Sequence, residues 1–176
     1  MTDYQLVPVI ASEAIQKTVR DLAERINRDY NGKSLVLVGI LKGAFIFLSD
    51  LARCLTIPVQ IDFVRLASYG QSTETSGEVI ITKDVELPVR GRHILVVEDI
   101  VDTGVTLAWY LEHLRKYDPA SVKVCALIDK KERRQVEISL DYIGISMEEG
   151  FLVGYGLDYS ENHRNLPAIC QVRFNK

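Results

Sequence analysis

The stretch His93–Leu107, HILVVEDIVDTGVTL, leaves this chain few folds to choose from. Its apolar run Ile94–Val97 closes on two acids, Glu98 and Asp99, and then opens into a turn and a helix. An uninterrupted apolar run that ends in polar residues fits a parallel strand covered on both faces. In such sheets ligands sit at the carboxyl ends of the strands. The turn holds Asp102, Thr103, Gly104, Val105 and Thr106, whose free backbone N–H groups and two hydroxyls suit an anion at a helix N-terminus. Carboxylates repel a phosphate, so the three acids nearby must serve another part of the ligand: sugar hydroxyls, a metal, or a proton in transit. A sugar phosphate satisfies both halves. The plainer alternative makes Glu98 and Asp99 a strand end and Asp102 a helix cap; the attached DTGVT weighs against it.

The rest of the chain supplies the matching elements. Ser12–Tyr30 is predicted as a helix with Ile15, Val19, Leu22 and Ile26 on one face and Asn31-Gly32 as its stop. Ser34–Ile40 reads as a buried strand ending at Leu41-Lys42-Gly43, followed by a helix over Ala44–Leu55 and a strand over Val59–Ala67. Ser68–Gly77 is polar, glycine-bounded and without apolar period, a loop long enough to serve as a lid. Glu78–Thr82 and Val85–Leu87 are expected to pair as a small hairpin. A helix over Val105–Tyr117, a strand over Val122–Ile128 that finishes in Asp129-Lys130, and short strands over Leu140–Ile145 and Phe151–Gly156 complete the pattern. Strands alternating with helices give an α/β fold, a mainly parallel sheet covered on both faces. Right-handed crossovers then gather Lys42, the Glu98/Asp99/Asp102 acids, Lys130 and the Phe151–Asp158 region along one edge.

Length and composition set the class. At 176 residues the chain is expected to form one domain, and 47% apolar residues suffice for its core. A net charge of −3 without long blocks of one sign gives no sign of a nucleic-acid or membrane partner. Cys54, Cys125 and Cys170 lie far apart in apolar company, as expected of core residues in a reducing compartment. No signal peptide and no apolar run of about 18 residues is present, so a cytoplasmic location is expected.

The His93–Leu107 stretch resembles the phosphoribosyl diphosphate (PRPP) motif of type I phosphoribosyltransferases: apolar strand, two acids, two apolar residues, Asp-Thr-Gly-x-Thr. LVGILKGAF (37–45), RLASYG (65–70), CALIDKKERR (125–134) and GFLVGYGLDY…R (150–164) extend the resemblance over nearly the whole chain, toward the bacterial hypoxanthine-guanine branch. The P-loop pattern and GxGxxG are both absent. The resemblance implies transfer of the 5-phosphoribosyl group of PRPP to a 6-oxopurine, giving IMP or GMP and diphosphate with inversion at the anomeric carbon.

It also implies roles. Asp102, Thr103, Gly104, Val105 and Thr106 bind the 5-phosphate, and Asp102 serves as general base near the purine N7. Glu98 and Asp99 hold the ribose hydroxyls, directly or through Mg2+, and Asp158, beside the purine, ligates a magnesium bridging diphosphate. Leu41, Lys42 and Gly43, with a cis peptide at Leu41-Lys42, take the diphosphate together with Arg164. Lys130 selects the 6-oxo group, because an ammonium donates only. Phe151 stacks on the purine and the Leu152 backbone reads its edge, while Ser68 and Tyr69 close over the reaction. A small hood subdomain is expected from 1–11 and 145–176, and a homodimer or homotetramer as the assembly. The basic residues Lys131, Arg133 and Arg134 are expected to affect base choice or subunit contacts. Alternatives are a xanthine-preferring enzyme, because Lys130 cannot separate xanthine from guanine, and a PRPP- or nucleotide-sensing regulator.

Overall fold

The computed structural model describes residues 4–68 and 79–174. In chain order its elements are β1 (Tyr4–Ile10), α1 (Ser12–Asp29), β2 (Leu35–Leu41), α2 (Phe45–Cys54), β3 (Val59–Ser68) and β4 (Val79–Lys83). There follow β5 (His93–Val101), α3 (Val105–Arg115), β6 (Ser121–Lys130), β7 (Tyr142–Met147), β8 (Leu152–Val153) and β9 (Ile169–Phe174). The main sheet has the order β4-β3-β2-β5-β6-β7. All its pairs are parallel except β3–β4.

Burial is continuous along the central strands, and successive side chains face two different cores, as period 2 demands of a sheet with two covered faces. Leu35 and Leu37 of β2, with Leu95 and Val97 of β5, face one core alongside Phe47, Leu48 and Leu51 of α2 and the Ile15, Val19, Leu22 and Ile26 stripe of α1. Val36, Val38, Ile94 and Val96 face the other, against Leu107, Tyr110, Leu111 and Leu114 of α3. From β2 the chain winds outward through β3, and from β5 it winds the opposite way through β6 and β7. The two directions part between β2 and β5. That switch point leaves a crevice beyond the strand ends, where open α/β sheets bind ligands.

Three expectations need correction. β5 does not stop at the acids: it runs through Glu98 and Asp99 to Val101, paired with β6 as far as Val101–Asp129. β4 pairs with β3, not with Val85–Leu87, which forms no strand. The first residues are a strand too. β1 pairs with β9, and β9 with β8, in a second sheet of order β1-β9-β8. Pro8 would argue against a central strand, but β1 is an edge, and its register shifts between Pro8 and Ile10. Residues 145–147, expected in the hood, continue β7 of the main sheet. Of the lid residues, Ser68 ends β3 and Tyr69 lies outside the described residues. Among the described residues no helix is long and apolar enough to cross a membrane.

Candidate active site

β5 and α3 build one end of the site. Glu98 and Asp99 are neighbours on a strand, so they point to opposite sides of it. Glu98 joins Thr103, Gly104 and Thr106 around a hollow of about 160 Å3 at the start of α3. Asp99 lines a larger cleft of about 310 Å3 with Lys42, Gly43, Lys130, Phe151, Asp158 and Arg164. Asp102 borders both. Gly104 caps α3 at φ 82, a left-handed conformation, and a Cβ there would come within 2.8 Å of the Val136 carbonyl. The turn is therefore both conformationally and sterically a glycine site. No side chain caps α3, which leaves its first N–H groups free for an anion.

The turn is buttressed from the segment after β6. The Gln135 and Val136 N–H groups donate to the Thr103 carbonyl at 2.9 and 3.2 Å. Arg134 donates to the carbonyls of Asp102 (2.8 Å) and Val101 (2.9 Å) and to the Asp129 carboxylate (2.5 Å). Arg134 belongs to the basic segment expected to affect base choice or subunit contacts; its side chain is mostly buried and ties the ends of β5 and β6 together. Arg133, of the same segment, reaches the site. Its guanidinium holds Oδ2 of Asp102, while Oδ1 of Asp102 is buried with no hydrogen-bond partner. The Lys130 ammonium stands 3.7 Å from the same Oδ2 and donates to the Gly150 carbonyl at 3.1 Å. Only 5% of Lys130 is exposed, so its charge is directed into the cleft region and not to solvent.

The opposite end comes from segments more than a hundred residues apart. The Leu41–Lys42 peptide is cis, as the resemblance implied. A Cβ on Gly43 would lie 1.8 Å from Oδ2 of Asp99, and one on Gly156 (φ 103) 2.0 Å from the Gly43 carbonyl. Three backbones or side chains thus meet where nothing larger than glycine fits. Arg164 binds Asp158 at 2.8 Å and donates to the Gly156 carbonyl at 2.7 Å. Lys42 pairs at 2.8 Å with Glu161, a residue that no local pattern singles out. Phe151 is 44% exposed and meets Tyr159 edge-on at 5.5 Å, with Leu152 buried behind it on β8.

Electrostatics distinguish the two acids of β5 from their neighbours. Burial, then the charge of Asp99, push the Glu98 carboxyl well above its ordinary value. Burial raises Asp99 to about 6, against the pull of the Ile100 N–H, its own N–H and Arg164. Desolvation favours the neutral form of both until a cation or hydroxyl donor reaches them.

Comparison with known proteins agrees with this geometry. Residues 9–160 match the family model described as the phosphoribosyl transferase domain. The hypoxanthine phosphoribosyltransferase of Haemophilus influenzae is 38% identical over 175 residues, 98% of each chain. The hypoxanthine-guanine phosphoribosyltransferase of Bacillus subtilis is 42% identical over 161 residues, 92% of this chain and 89% of that one. A crystal structure of a hypoxanthine phosphoribosyltransferase from Staphylococcus aureus superposes with a TM-score of 0.92 at 39% identity, over 97% of this chain and 92% of the other. With the strand order, the glycine-capped turn and the lysine at the end of β6 all in place, the chain belongs to the phosphoribosyltransferase family, in its hypoxanthine-guanine branch.

Proposed function

We propose that the protein is a purine salvage enzyme that transfers the 5-phosphoribosyl group of PRPP to hypoxanthine or guanine, releasing diphosphate. The observation that carries the reading is the position of Asp102. It borders both the anion hollow and the larger cleft, one oxygen held by Arg133 and the other without a partner.

The chemistry follows from those positions. The 5-phosphate lies in the 102–106 turn on the N–H groups of α3 and the hydroxyls of Thr103 and Thr106, with Val105 contributing its backbone. Glu98 and Asp99 face the ribose from the two sides of β5. The base enters above Phe151, beneath the sheet β1-β9-β8, which we assign as the hood. Its 6-oxo group accepts from Lys130, and the Leu152 backbone reads its edge. The purine imidazole nitrogen attacks the anomeric carbon, the C–O bond to diphosphate breaks, and the N7 proton passes to Asp102. Leu41, Lys42 and Gly43, with Arg164, receive the departing diphosphate and offset its charge.

Magnesium fits the residues present. Glu98, Asp99 and Asp158 offer only carboxylate oxygens, and Oε2 of Glu98 has no hydrogen-bond partner. No group of three or more His, Cys, Asp or Glu among the described residues forms a metal cage by itself. Magnesium is commonly held by one or two carboxylates together with substrate phosphate oxygens. When bound it would neutralise charge on the diphosphate. All three cysteines are free, which suits a reducing cytoplasm. A homodimer or homotetramer is the assembly to test by light scattering.

The deciding experiment supplies PRPP and magnesium with hypoxanthine, guanine, xanthine, adenine or uracil and measures diphosphate release. Release with hypoxanthine and guanine is expected, with adenine and uracil inert. Release confined to xanthine would replace the substrate assignment, and tight PRPP binding without base-dependent release would replace catalysis with sensing.

A further inference from the structure

The loop from Asp158 to Arg164 is built in an unusual way. Ser160, Glu161 and His163 all have left-handed backbones, at φ 50, 63 and 76, although none is glycine. Such conformations persist only where surrounding contacts hold them. Here the Tyr159 and Asn162 N–H groups exchange bonds with each other's carbonyls at 3.1 and 3.0 Å, and the Glu161 N–H donates to Oδ2 of Asp158 at 2.8 Å. Tyr4 fastens the loop from β1, with its hydroxyl 2.7 Å from Nε2 of His163 and its ring edge-on to Tyr159 at 5.4 Å. The outcome is that one carboxylate, Glu161, is carried to the two cations of the cleft. Its Oε2 lies 2.8 Å from the Lys42 ammonium and 3.5 Å from the Arg164 guanidinium.

Those are the two side-chain cations assigned above to diphosphate. We infer that Glu161 is a built-in stand-in for the diphosphate group: it occupies Lys42 and Arg164 in the free enzyme and must give them up when PRPP binds. The inference rests on the assignment of Lys42 and Arg164 as diphosphate ligands. Its physical basis is competition. A carboxylate and a phosphate oxygen use the same donors in the same charge-assisted way, so an ammonium in contact with both shares its attraction between them. Glu161 is 64% exposed and Lys42 48%, and exposed pairs contribute little, so a polyanion carrying several charges displaces the glutamate readily. The pair keeps the lysine and arginine aimed into the cleft between turnovers, at the cost of weaker capture of substrate and faster loss of the product anion. Asp158 is a different case: it holds Arg164 alone and lies in the cleft wall, where the diphosphate's metal is expected.

The sign of the mutational effect separates this role from a structural one. If Glu161 only braced the loop, removing its charge would weaken PRPP binding. If it competes, Glu161→Gln strengthens binding. The expected result is a fall of about two- to five-fold in KM for PRPP and in the inhibition constant of inorganic diphosphate, the range an exposed ion pair allows. The same variant should leave KM for hypoxanthine unchanged, and Glu161→Asp should retain part of the competition. Lys42→Gln is measured beside it and should weaken diphosphate inhibition, with Glu161→Gln then adding little in the double variant. Unchanged or raised constants in Glu161→Gln, with Lys42→Gln weakened, would overturn the stand-in and leave the diphosphate assignment intact. Unchanged diphosphate inhibition in Lys42→Gln would overturn that assignment itself. Glu161→Ala repeats the test without an amide at this position, and the same fall is expected.

Discussion

The two ends of the cleft, both assigned above to phosphate groups, are built on opposite principles. The 102–106 turn is continuous in sequence and presents backbone N–H groups that are neutral, fixed and free. The Lys42/Arg164 end joins segments more than a hundred residues apart and relies on mobile cations, each already engaged with a carboxylate. A peptide dipole can wait unpaired at a helix start without a counterion. A long ammonium side chain needs a partner to hold it in one place. The difference teaches that dipoles suit the phosphate that stays with the sugar throughout. Displaceable side-chain charges suit the group that leaves.

The sharpest test of that contrast lies at the residue bordering both sites. Asp102→Asn should cut turnover by roughly 10²–10⁴-fold, measured as diphosphate release, while calorimetric PRPP affinity stays near wild type. Normal turnover in this variant would remove Asp102 as the proton acceptor and with it the division of labour. Next in size is Arg134→Met, which leaves Asp129 buried without its cation. A loss of about 3–5 kcal/mol in denaturant unfolding is expected, with weakened phosphate binding at the turn. A stable variant would mean that the cradle is held by its own backbone alone. Gly156→Ala probes the other end: the φ of 103 and the 2.0 Å approach to Gly43 together predict a loss on the order of 3 kcal/mol. The loss should be accompanied by poorer diphosphate inhibition.

The smallest effect is expected at Asp62, away from both ends, where one internal anion is held in both ways at once. Its carboxylate accepts from the Glu86 and Leu87 N–H groups at 2.6 and 2.9 Å and from the Lys83 ammonium at 3.1 Å. Burial pushes this carboxyl up, but the N–H donors of Leu87, Glu86 and Phe63 and then Lys83 outweigh it, so it sits below its usual 3.8. A depressed folded value stabilises above the unfolded one, and that stability is lost as pH falls from about 4 through the folded value. Asp62→Ala should therefore cost about 1–3 kcal/mol at pH 7, shrinking below pH 4, and Lys83→Met distinctly less. Equal losses would undo the claim that N–H groups carry most of the grip.

What the amino-acid order disclosed divides along the same line. β5, the turn and α3 are contiguous, so periodicity and a glycine sufficed to find them. The end of β5 was misplaced because polar Glu98 and Asp99 looked like punctuation, whereas pairing with β6 carries the strand past them. β1 was overlooked because Pro8 counts against a strand until its edge position is known. Arg133 and Glu161 find their partners 31 and 119 residues away, and no local pattern announces a contact of that range. Topology put Lys42 on the binding edge, but its diphosphate role, and Arg164 altogether, came only from likeness to a family. Gly43 is needed because of Asp99, and Gly156 because of the Gly43 carbonyl, which are facts of packing alone.

The pairing of β1 with β9, in which Tyr4 sits opposite Phe174, has a consequence for how the molecule comes into being. A nascent polypeptide emerging from the ribosome has its 102–106 turn long before the roof above Phe151 can assemble. β1 must stay without this partner until β9 is synthesised. The cover over Phe151 therefore waits for β9, and a chain cut short before that strand would hold the 102–106 turn with no roof opposite it.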